Sequence, residues 1–130
     1  MNRVGRNTAQ PGEIIDRSAA VEFKSDGRTI RAQQGDTIAS ALYAAGINAF
    51  SRSFKYHRPR GLLCAAGHCP NCLVTVDGEP NVRACTRPVT PGMKVQHQNA
   101  WPSLRWDFLS ILDRFHWLMP VGFYYKALHR

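Results

Sequence analysis

Acidic side chains are scarce in this sequence. Nine Asp and Glu stand against 17 Lys and Arg, for a formal net charge of +8. Such a balance suits nucleic acid, an anionic membrane surface or an acidic protein, and does not choose among them. Long apolar runs are missing as well. No window approaches the ~18 apolar residues of a membrane span. The N-terminal MNRVGRNTAQPGEIIDRS offers no apolar core for a secretory leader. A cytoplasmic protein is therefore expected, in a compartment where disulfides are disfavoured. There is also no internal repeat, no low-complexity segment, no glycine-rich phosphate loop, no carboxylate pair and no nucleophile–base pair. The chain alone is expected to catalyse nothing.

Cysteine is rare but concentrated. All four fall within GLLCAAGHCPNCLVTVDGEPNVRACTRP, as Cys64, Cys69, Cys72 and Cys85, spaced C-x4-C-x2-C-x12-C. In a reducing compartment, such a group reads as metal ligands rather than crosslinks. The first three match the plant-type run of a [2Fe–2S] cluster, and a fourth thiolate completes two bridged irons. Ala65, Ala66 and Gly67 are small enough to let backbone N–H groups approach the sulfurs. Arg60, Arg83 and Arg87 are the sequence-near sources of positive charge. Zinc is a rival, but structural zinc sites usually repeat a short C-x2-C pair, and only Cys69 and Cys72 are so spaced. A redox dithiol at Cys69-Pro70-Asn71-Cys72 would leave Cys64 and Cys85 unexplained. His68 invites a Rieske reading, which needs two His and two Cys. His57, His97, His116 and His129 form no ligand spacing with one another.

Around this stretch the pattern predicts an α+β fold. Residues 1–20 read as a polar extension broken by Pro11-Gly12. Val21–Lys24 and Thr29–Ala32 alternate across Asp26-Gly27, a hairpin signal because Gly supplies positive φ. Asp36 or Thr37 then caps a helix with Ile38, Ala41, Leu42 and Ala45 on one face, stopped at Gly46. Strand, strand, helix and then the cysteine loop is the order of a β-grasp domain. Leu73–Val76 and Asn81–Cys85 form a second hairpin around Asp77-Gly78, and Lys94–Gln96 a last short strand. The domain is taken as 21–100. Beyond it, Leu104, Phe108, Ile111, Leu112, Phe115 and Leu118 recur at helical spacing. They predict an amphipathic helix over 103–119, ended by Pro120 and Gly122. Residues 101–130 are thus expected to be a helix and an aromatic tail for subunit docking.

The run Arg52–Arg60 interleaves cations with aromatics. It can be a solvated loop with local cation–π contacts, a nucleic-acid surface, or a docking surface beside the metal site. A zinc-stabilised nucleic-acid module is the functional alternative that these rivals define together.

The runs SFKYHRPRGLL, LVTVDGEPNVRAC and WPSLRWD resemble the ferredoxin-like segment of the heterotetrameric sarcosine oxidase α-subunit. They are also similar to the small [2Fe–2S] subunits of flavin-dependent amine and imino-acid dehydrogenases, of the hydroxyproline dehydrogenase, opine oxidase and hydrogen cyanide synthase types. The resemblance covers roughly residues 20–125. It implies a β-grasp [2Fe–2S] ferredoxin-like fold, with Cys64, Cys69, Cys72 and Cys85 as ligands. It further implies partner flavoprotein subunits carrying FAD, with FMN as an open second flavin, and no nucleic acid. In sarcosine oxidase itself the corresponding segment lacks the cysteines, so this chain departs towards the dehydrogenase branch. Its end at residue 130 suggests a separate electron-transfer subunit.

Overall fold

The computed structural model describes residues 11–115 and 117. Its frame is a five-stranded sheet of order β2-β1-β7-β5-β6. The strands are β1 (Asp16–Ser25), β2 (Arg28–Gln34), β5 (Leu73–Val76), β6 (Glu79–Arg83) and β7 (Lys94–Gln96). Helix α1 (Ile38–Ala44) buries one face against it, and β3 (Ser51–Arg52) with β4 (Pro59–Arg60) makes a separate two-stranded ladder. A mixed sheet with one such helix is the α+β, β-grasp ferredoxin-like arrangement expected from the sequence.

Alternation decides which side of each strand faces inward. Phe23 and Ser25 of β1 are buried while Glu22 and Lys24 are exposed, and Ile30 and Ala32 repeat the pattern on β2. Asp26 (φ 47°) and Gly27 (φ 79°) join the two strands, and Asp77 (φ 50°) with Gly78 (φ 90°) joins β5 to β6. Positive φ at both central residues matches the twist of a tight hairpin. Ile38 and Leu42 from α1 meet Phe23, Ile30, Val74, Val76 and Val95 in one core. Each large side chain buried there stabilises the fold by roughly 1.5–3 kcal/mol. β7 lies between the hairpins, parallel to β1 and antiparallel to β5.

Thr37 caps α1. Its hydroxyl accepts from the Ser40 N–H at 3.2 Å, and its own N–H donates to Ser40 Oγ at 2.9 Å. Two further first-turn donors find partners outside the helix, Ile38 N–H on the Arg87 carbonyl and Ala39 N–H on the Ala84 carbonyl, both at 2.9 Å. Helix starts leave such donors orphaned, so the chain just after β6 is held against α1 by them.

Two boundaries differ from those expected. β1 begins at Asp16, inside the anticipated 1–20 extension, and it carries an irregularity between Asp16 and Ala20 where it pairs with β2. At the other end, residues 101–107 are not helical. Pro102 and Asp107 bridge instead, and the Phe108 N–H donates to the Trp101 carbonyl at 2.8 Å. Helical bonding starts with a 3-10 turn at Phe108–Ser110 and continues as α2 (Ile111–Arg114). The Asp107 carboxylate accepts from the Leu109 N–H and fixes that late start. The helix end expected at Pro120 and the aromatic tail lie outside the described residues.

Candidate metal centre

The C-x12-C spacing has a direct structural cause. β5 and β6 pair with Leu73 opposite Arg83, so Cys72 stands at the open end of the hairpin beside Ala84, whose N–H donates to the Cys72 carbonyl at 3.0 Å. Cys85 follows immediately. Twelve residues of strand, turn and strand therefore return the chain to its start. Cys72 is only 1% exposed and Cys85 8%, and both belong to the core cluster.

The other two thiols come from the loop before β5. Gly61 opens that loop under the Asn48 carbonyl oxygen, where any Cβ would collide with backbone. The Asn71 side-chain amide donates to the Gly61 carbonyl at 3.4 Å and ties the loop across its base. Within it, Ala65 (φ 55°) and Gly67 (φ 76°) take left-handed conformations that curl the backbone N–H groups inward. Cys64 Sγ accepts from the Cys69 N–H at 3.4 Å. Backbone N–H groups of Ala66 first, then Cys69, together with the Cys69 thiol, hold the Cys64 pKa down at about 6. Cys85 is pushed the other way, by burial first and then by the neighbouring Cys72 thiol, against a lowering N–H from Gly67.

The four predicted ligands thus converge as two pairs. Cys64 interacts with Cys69, Cys85 with Cys72, and the pairs sense each other through the charge of Cys64 on Cys85. Among the described residues, no three His, Cys, Asp or Glu side chains gather closely enough to hold a single ion. A mononuclear zinc site needs that convergence. A binuclear cluster needs two thiolates per iron and N–H donors to the sulfurs. Pairs of thiols in a backbone nest fit the second requirement, so the residues present suit a [2Fe–2S] group. His68 is exposed beside them, and Arg83 and Arg87 are exposed on and after β6.

The basic run shows the local cation–π contacts that one of its readings expected, together with a buried network that was not expected. Arg52–Arg60 is a short hairpin in which Lys55 Nζ lies 5.1 Å and Arg58 Cζ 5.4 Å from the Tyr56 ring centroid. His57 is buried, and its Nδ1 lies 2.8 Å from Asp107 Oδ2. The Arg52 guanidinium donates to the Leu104 carbonyl at 2.6 Å and to the His57 carbonyl at 2.6 Å, with Asp107 3.5 Å away. This network links the basic hairpin to the segment after residue 100. Its one sequence signal was a lone acidic residue, Asp107, closing the basic and aromatic run WPSLRWD.

Comparison with known proteins agrees with this geometry. The family described as 2Fe-2S iron-sulfur cluster binding domain matches residues 18–100. The sarcosine oxidase subunit alpha of Rhizobium meliloti is 44% identical over 118 residues, covering 88% of this chain but 12% of that protein. The hydrogen cyanide synthase subunit HcnA of Pseudomonas protegens is 33% identical over 97 residues, which span 74% of this chain and 88% of that subunit. This chain therefore corresponds to about an eighth of the first relative and to most of the second. Among solved structures, L-proline dehydrogenase from P. horikoshii superimposes with a TM-score of 0.54 at 26% identity, over 65% of this chain and 16% of that one. The match over residues 18–100 contains all four paired cysteines, and the chain belongs to the [2Fe–2S] iron–sulfur cluster binding domain family.

Proposed function

We propose that this chain is the electron-transfer subunit of a multi-subunit, flavin-dependent oxidoreductase acting on a secondary amine or imino acid. The observation that carries the reading is the family match over residues 18–100, which contains all four cysteines, with Cys64 Sγ accepting from the Cys69 N–H and Cys85 following Ala84, whose N–H donates to the Cys72 carbonyl. A [2Fe–2S] group held there supplies one-electron chemistry, which a flavin that takes two electrons from its substrate needs in order to discharge singly. The buried pair, Cys72 and Cys85, roots the group in the core. Cys64 and Cys69, both partly exposed, bring it to the surface where electrons enter and leave. The substrate class is drawn from the relatives named for sarcosine and proline oxidation. The flavin, FAD with or without FMN, belongs to partner subunits in this reading. Four cysteines read as metal ligands rather than crosslinks support a cytoplasmic location in this reading. No helix among the described residues is long and apolar enough to cross a membrane.

The test is a visible absorption spectrum of the chain purified with its partner subunits, before and after dithionite. A red-brown band that bleaches, alongside flavin absorption, is the expected result. Cys72→Ser should remove that band and stop transfer to the acceptor, while substrate still reduces the flavin. Full acceptor turnover in a cluster-free Cys72→Ser complex would sink the proposal.

A further inference from the structure

The segment 101–111 is built inside out. Its one carboxylate, Asp107, is only 1% exposed, yet Trp101, Trp106 and Phe108 are 61%, 66% and 62% exposed. Asp107 accepts from the N–H groups of Trp101 and Leu109 through Oδ1, both at 3.1 Å, and meets His57 through Oδ2. Arg52 holds the Leu104 carbonyl from the same side. Buried charge networks add little net stability, because desolvation offsets the attraction. Here the network fixes a strap of chain in a shape that keeps large apolar side chains in water. Exposed patches of this kind are rare on a surface that stays uncovered.

Beneath the strap runs a half-open cleft of about 750 Å³, floored by Leu42, Phe50, Val74 and Val95 and roofed by Leu104 and Trp106. Arg28 and Arg105 also line it. Next to the strap lie Lys55 and Arg58, held over Tyr56 on the hairpin that Arg52 and His57 join to it. Trp, Tyr and Arg together are the composition of interface hot spots.

We infer that strap 101–111 and hairpin 51–60 form one preorganised docking face. Its partner is a different protein subunit, apolar at the centre and rimmed with carboxylates, and Asp107 is the positioning residue that joins the two halves. Charge selects that partner. A second copy of a chain with net charge +8 would bring Arg28, Arg58 and Arg105 against like charges. Nucleic acid would use cations and flat rings, but Leu109 and Ile111, exposed in the same segment, have nothing to stack. The inference rests on the proposed multi-subunit assembly and specifies which surface makes it.

The experiment uses the complex purified with its flavin-bearing subunits, with dissociation followed by sedimentation velocity at low and high salt. Trp106→Asp is expected to weaken assembly by about tenfold or more. Arg58→Glu should weaken it by a smaller factor that shrinks as salt rises. The visible absorption of the separated chain should be unchanged in both. Asp107→Ala should weaken assembly too, and lose that effect once Trp106 is already Ala, because it acts through the strap. Additive losses would remove its positioning role. Unchanged assembly in Trp106→Asp and Arg58→Glu would overturn the docking face. So would a homodimer, or binding of a single-stranded oligonucleotide probe, that those variants abolish. A colourless chain that still assembles through this face would refute the electron-transfer reading and support this one.

Discussion

The two thiol pairs are made by different physics. Cys72 and Cys85 are held by sheet, since β5 and β6 bring them together at the mouth of a hairpin, and the core covers them. Cys64 and Cys69 are held by backbone conformation, in a loop whose left-handed residues turn N–H groups towards sulfur. One pair inherits the stability of the domain. The other depends on a few dihedral angles and on the closeness of Gly61 to Asn48. The four thiols are thus half core and half loop, which in the proposed reading suits a carrier that must be fixed yet reachable.

Substitution of the ligands should show this contrast most strongly. Both Cys72→Ser and Cys64→Ser are expected to lose the native visible spectrum. In the cluster-free protein they should diverge. Cys72→Ser buries a hydroxyl among apolar side chains and should cost roughly 1–3 kcal/mol in urea unfolding, whereas Cys64→Ser should leave the midpoint where it was when the comparison is made below pH 6, where the Cys64 thiol is protonated in both states. Equal midpoints would dissolve the distinction between the pairs. Gly61→Ala comes next. Its Cβ meets the Asn48 carbonyl oxygen, and overpacking against backbone should cost on the order of 3 kcal/mol. Cluster incorporation should fall with it, while an intact yield would show that the loop base can shift.

A smaller effect is chemical. In the cluster-free protein Cys64, with its pKa about 6, should be the first thiol alkylated by iodoacetamide at neutral pH, and Cys85, raised by burial, the last. Mass spectrometry of partly modified protein reads the order directly. The same shifts act on stability in opposite senses. The Cys64 contribution is complete above the ordinary thiol pKa and is lost as pH falls through about 6. That of Cys85 is present below the ordinary thiol pKa and disappears as pH rises past its elevated value. The smallest change expected is none at all. His68→Ala should leave the absorption spectrum untouched, and a shifted spectrum would return this residue to the ligand set.

Much of this centre was legible in the sequence because its signals are local. Asp26-Gly27 and Asp77-Gly78 demand positive φ, and the structure uses them so. The spacing of the four cysteines predicts a ligand set, and the family match over residues 18–100 contains all four. Which thiols pair, and which are buried, depended on the register of β5 against β6 and on left-handed angles at Ala65 and Gly67, neither of which composition encodes. The strap was misread for a physical reason. Apolar residues at helical spacing normally mark a face turned to the core, but here Pro102 and the Asp107 hydrogen bonds break the helix and turn its aromatic side chains outward. Periodicity detected the helical turns at residues 108–114 but started them too early, across residues 103–107 that are not helical. Arg52, His57 and Asp107 were invisible as a unit because 50 residues separate the two that touch.

The strand order carries a consequence in time. β7 is the middle strand of the sheet, yet it is the last of the sheet to be made. Until Lys94–Gln96 leaves the ribosome, the nascent chain holds two hairpins with no strand between them. All four thiols have emerged by then, two of them at the mouth of the second hairpin. All four cysteines therefore precede, in the chain, the strand that joins the two hairpins into one sheet.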